Sequence, residues 1–83
     1  MAAKLFDRPM SVSLHPGGET LKIGSAEQAA QALMSVDWPG ERDEWHRDAV
    51  DACLKVIEGN RSMEDAEKAF RQAAAKAGIL LPD

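Results

Sequence analysis

The chain has 83 residues, enough for one domain and no second core. A hydrophobic fraction of 45% excludes wholesale disorder, and 14 acidic against 10 basic residues, a net charge of −4, argue against partners that present phosphate. No apolar run approaches the ~20 residues of a membrane span, and Met1 to Asp7 lacks the apolar stretch of a secretory signal, so the expected location is the cytoplasm.

Met10, Val12 and Leu14 alternate with Ser11 and Ser13, the period of a half-buried strand. Pro9 stands at its start, where a missing N–H is tolerated. His15-Pro16-Gly17-Gly18 reads as a turn, because Pro fixes φ and Gly permits a positive one. Leu21 and Ile23 then alternate with Thr20 and Lys22 as a second strand. The pair makes a β-hairpin with one apolar face and one face of Ser11, Ser13, Thr20 and Lys22. A lone hairpin is marginal in water, so its apolar face needs helices to pack against.

Ser25 with Gln28 has the spacing of a capping box and opens a first helix. Ala26, Ala29, Ala30, Leu33 and Met34 form its apolar stripe, and Trp38-Pro39-Gly40 ends it. A second helix is predicted from Asp43 to Glu58, with Trp45, Ala49, Ala52, Cys53 and Val56 on one stripe. Val50, Leu54 and Ile57 widen that stripe beyond a single face. Such an arc is covered on two sides, either as the central helix of the domain or by another chain. Gly59 suits the left-handed position after the helix. Ser62 caps a third helix, with Glu64 and Asp65 complementing its dipole in the first turn. Its stripe is Met63, Ala66, Phe70, Ala73, Ala74 and Ala77, and Gly78 stops it. Ile79-Leu80-Leu81 is a candidate third strand beside the hairpin.

The chemistry-bearing residues do not assemble into a known motif. Cys53 is the single cysteine, which excludes an internal disulfide and suits a reducing compartment. A nucleophilic thiol needs a base within hydrogen-bond reach. His46 lies seven residues away, roughly 10 Å along one helix, too far to serve. Cys53 therefore reads as a small buried hydrophobe. His15, His46 and Cys53 do not have zinc-ligand spacing. Glu44, Asp48 and Asp51, interleaved with Arg47 and Lys55, read as a solvated charged face, with Asp51 and Lys55 a favourable i, i+4 pair. His15-Pro16-Gly17-Gly18-Glu19 lacks the Lys-Ser/Thr and following helix of a phosphate loop. The second and third helices, joined through Gly59-Asn60-Arg61, could form a helix-turn-helix. The turn that would enter DNA carries Glu64, Asp65 and Glu67, while Lys68, Arg71 and Lys76 are scattered among acids. Phe6, Trp38, Trp45 and Phe70 are the aromatic residues. Trp38 and Phe70 are expected in the core, and Trp45 in the core or against a partner.

The order Pro9-x-x-Val12, a Gly-containing turn, the Ala29/Leu33 helix and Trp38-Pro39 resembles a bacterial family called domain of unknown function 982. So does Ala49, Cys53, Gly59 and Ala66, then Phe70-x-x-Ala73-Ala74-x-x-Ala77-Gly78-Ile79. The resemblance runs from about Pro9 to Leu81. It implies a small protein of soil and plant-associated bacteria and brings no catalytic or binding residues. Glu67 stands where relatives are expected to carry an Arg, which argues against a shared basic site there.

These readings predict a single α+β domain over 1–83, with its core at about 9–81. An N-terminal β-hairpin, with a short third strand at Ile79–Leu81, packs against three helices. No catalytic, cofactor-binding or metal-binding residue is assigned, and no enzyme activity is expected. The favoured function is an interaction module for a protein partner or a second copy of itself, through the arc of Trp45, Val50, Leu54 and Ile57. The alternatives are nucleic-acid binding through the Ser11/Ser13/Thr20/Lys22 face or the helix-turn-helix, and a small enzyme or ligand carrier with a pocket invisible to sequence.

Overall fold

A computed structural model describes residues 5–14, 18–36, 38–39 and 42–81, with Asp7 described by its backbone alone. The elements follow in the order β1 (Leu5–Ser13), β2 (Thr20–Ser25), α1 (Ala26–Met34), α2 (Glu44–Ile57) and α3 (Met63–Ala77). β1 pairs antiparallel with β2 through Met10↔Ile23, Val12↔Leu21 and Ser13↔Thr20. On its other side β1 meets the end of the chain. Val12 bridges Leu80, Ser13 N–H donates to the Ile79 carbonyl at 3.0 Å, and Leu81 N–H donates to the Ser11 carbonyl at 3.0 Å. Three antiparallel strands and three helices make the α+β class, with the expected third strand at 79–81 present. Of the expected turn His15–Gly18, all but Gly18 lies outside the described residues, as does Gly40.

β1 begins earlier than the alternation predicts, at Leu5 rather than beside Pro9. Between Leu5↔Ser25 and Met10↔Ile23, β1 advances from residue 5 to 10 while β2 moves only from 25 to 23. Pro9 sits inside this irregular stretch, where a missing ladder donor costs little. Arg8 N–H goes to Glu67 Oε1 on α3 at 3.0 Å, so Glu67 fastens the irregular strand to a helix. Phe6 is thereby brought into the core.

The helix boundaries follow from their caps. Ser25 accepts from Gln28 N–H at 3.1 Å, and Gln28 Oε1 accepts in return from Gly24 N–H at 2.8 Å, one residue before the cap. Asp43 accepts from His46 N–H, and Ser62 from Asp65 N–H. Gly59 (φ 85°) and Gly78 (φ 74°) take the left-handed conformation that ends α2 and α3. α1 stops sooner than expected, at Met34, and Trp38 N–H then bonds the Ser35 carbonyl at 3.2 Å as the chain turns inward.

The core draws on every element. Phe6, Met10, Val12 and Ile23 come from the strands, Leu33 from α1, Cys53 and Val56 from α2, and Phe70 from α3. Buried alanines line all three helices, so the helices approach closely and a few large side chains fill the space. Trp38 packs edge-on against Phe70 (5.9 Å between ring centres) and His46 (5.7 Å), a favoured aromatic geometry. Two expected core positions lie outside. Met34 is 62% exposed, because it falls at the end of α1 beyond its packed turns. Leu21 lies at an open groove beside Leu14, Gln31 and Ser35.

Trp38→Ala is expected to cost about 3–5 kcal/mol, most of the ~5–8 kcal/mol available to a domain this small. Urea unfolding followed by far-ultraviolet circular dichroism should find the midpoint of that variant lowered by about half or more, and that of Trp38→Phe lowered much less.

Candidate interaction site

α1 ends without a glycine at its cap and without a basic residue in its last turn. Its terminal carbonyls therefore need donors from elsewhere. They come from the start of α2. Arg42 Nη1 donates to the Leu33 carbonyl at 3.0 Å and Nη2 to the Ser35 carbonyl at 2.9 Å. His46 Nε2 lies 2.6 Å from the same Leu33 oxygen. A carbonyl oxygen only accepts, so Nε2 carries the hydrogen and donates. Arg42 Nη1, 3.0 Å from Nε2, is then a second donor converging on that oxygen rather than a bond to the ring. The Arg42 guanidinium also lies where the α1 dipole is negative.

This clamp sets one wall of an open groove of about 560 Å³, lined by Met34, Arg42, His46, Arg47, Val50, Asp51 and Leu54. The floor is apolar and the rim charged. α2 has two apolar sides. His46, Ala49, Ala52, Cys53 and Val56 are packed into the core. On the other side Val50 is half-buried, and Leu54 and Ile57 are 41% and 40% exposed. The groove is shallow and open to solvent.

The expected arc is therefore split. Trp45 is not on the uncovered side. At 100° per residue it points opposite Leu54, and Lys76 Nζ on α3 sits 5.3 Å from its ring centre. The stripe position expected for Trp45 belongs to His46. The missing donors of α1 were the signal for that role, since Arg42 and His46 flank Asp43 one turn apart.

The other candidate groups are committed to the fold. Cys53 is buried, which pushes its thiol up to about 11, with the charge of Arg61 acting weakly the other way. It stays protonated at neutral pH, the unreactive form. Arg61 ion-pairs with Asp48 (3.7 Å), Asp51 (3.5 Å) and Asp65 (3.6 Å), and Lys55 with Asp51 (3.6 Å). A phosphate approaching the α2–α3 turn would meet these carboxylates. The sheet face offers Thr20 and Lys22 exposed, and Ser11 and Ser13 half-buried. His15 lies outside the described residues. Among the described residues no group of three His, Cys, Asp or Glu is placed to hold a metal ion, and no helix is long and apolar enough to cross a membrane.

Two measurements check these assignments. Arg42→Ala and His46→Leu each remove one of these two donors to the Leu33 oxygen, whereas the double variant removes both. The double should lose about 0.5–3 kcal/mol more than the singles combined, read from urea midpoints in a double-mutant cycle. The folded thiol pKa of about 11 stands above its ordinary 9.0. The unfolded chain therefore releases this proton first as pH rises. The contribution of Cys53 to stability is whole below pH 9 and lost progressively between 9 and 11. Cys53→Ala should flatten the alkaline fall of a stability–pH profile over that window.

Neither a curated protein nor a solved structure gives a significant match. The family model described as Protein of unknown function (DUF982) matches residues 8–81, which includes the helix caps, the Arg42–His46 clamp and both sides of α2, and the chain belongs to that family.

Proposed function

We propose that the domain is a cytoplasmic, non-catalytic interaction module that docks a protein on the face made by the end of α1 and the outer side of α2. The observation that carries this reading is the uncovered apolar surface of Met34, Leu54 and Ile57 beside half-buried Val50, rimmed by Arg42, Arg47 and Asp51. Contiguous apolar surface with a charged rim is the anatomy of a protein interface. The groups best suited to chemistry support the non-catalytic half of the reading. The Cys53 thiol is protonated and buried, and the His46 ring is spent on the Leu33 carbonyl.

A photo-crosslinking amino acid at Ile57 tests the docking face in cells producing the protein. It should join the domain to another polypeptide chain, whereas the same group at exposed Glu64 on α3 should not. Leu54→Glu should abolish the adduct while changing stability by no more than about 0.5 kcal/mol, as expected of a surface position. No adduct at Ile57, or one indifferent to Leu54→Glu, overturns the reading.

A further inference from the structure

The outer side of α2 has a regular order. Arg47, Val50, Leu54 and Ile57 follow at steps of three, four and three residues, the spacing of the seam positions of a coiled coil. Glu58, the residue that caps α2, returns to the same side, eleven residues and about 16 Å from Arg47. An apolar centre thus has a cation at one end and an anion at the other.

The charges next to this seam are already used. Asp48, Asp51 and Asp65 pair with Lys55 and Arg61 within the chain. Arg47 and Glu58 make no ion pair among the described residues. They are opposite in sign and too far apart to meet within one helix.

From this charge complementarity we infer that the occupant of the docking face is a second copy of this chain, with its α2 laid antiparallel across the first. The two-fold axis then passes between Val50 and Leu54. It brings Val50 over the partner's Leu54 and sets Arg47 beside the partner's Glu58, twice per dimer. This is the self-complementary pattern of an isologous interface. A parallel arrangement would instead set Arg47 against the partner's Arg47, so the charges select the direction. Met34, at the open end of the groove, is covered by the same crossing. The inference rests on the docking reading and names its partner.

Sedimentation equilibrium of the full chain at micromolar concentrations, with circular dichroism to confirm folding, tests it. The wild-type chain should sediment as a dimer. Arg47→Glu and Glu58→Arg should each weaken dimerisation about tenfold or more, because both symmetry-related contacts become repulsive. Arg47→Glu/Glu58→Arg together should restore it, and no contact within one chain could produce that rescue. A monomeric wild type, or a folded double variant that fails to recover, overturns the inference. If the chain is monomeric while Ile57 still crosslinks to a different protein, the dimer falls and the docking face stands. If neither association is found, both fall.

Discussion

The oxygen of Leu33 is the point at which the two halves of the chain are tied. It terminates α1, and two donors from the start of α2 converge on it. Because His46 is buried, its ring cannot turn toward water for a substitute partner, so the bond fixes the ring as much as the ring serves the bond. The ring in turn presents its edge to Trp38, and Trp38 packs on Phe70 of α3. That hydrogen bond thereby begins a chain of contacts that reaches all three helices. The turn that follows α1 is drawn inward by the same contacts, since Trp38 must leave the helical path to reach its pocket.

The sheet is tied to this helical layer at two places remote from that oxygen. Val12 lies at the centre, paired on one side with β2 and on the other with the segment that follows α3. The left-handed turn at Gly78 sends that segment back along β1. At the opposite end of β1, Glu67 on α3 takes the Arg8 N–H that the irregular pairing leaves outside the ladder. Arg8 is exposed, so water could satisfy its amide, and the bond to Glu67 serves to hold the irregular strand against α3. α3 is thus fastened to β1 at both ends, and the alanines between allow the close approach these fastenings require.

What was legible in the sequence was mostly local. Ser25, Asp43 and Ser62 announce their helices because a side-chain acceptor at a helix start acts over three residues, and Gly59 and Gly78 mark ends because positive φ favours them. The third strand was legible because an apolar run after a glycine stop had to be buried somewhere. The failures were all decided by tertiary contacts. Trp45 and His46 are neighbours, and hydrophobicity alone assigns the core to the tryptophan. The unsatisfied carbonyls of α1 assign it to the histidine instead. Met34 continues a periodic stripe that has run out of anything to pack against. Pro9 reads as a strand start unless the strand is irregular around it. The family resemblance was carried by structural residues, so it identified the family and left the surface unread.

The surface of α2 is the part of the chain that the fold does not account for. Leu54 and Ile57 contribute little to the core from positions about 40% exposed. Val and Ile are poorer helix formers than the Glu, Lys or Arg that would suit an outward face. Polar residues there would keep the helix and improve solubility in a chain of modest net charge. Yet the seam is apolar from Val50 to Ile57, while the flank beside it is densely and mutually charged. The proposed dimer gives that face a role: a second copy covers the apolar seam, and Arg47 and Glu58, which make no ion pair among the described residues, set its antiparallel direction.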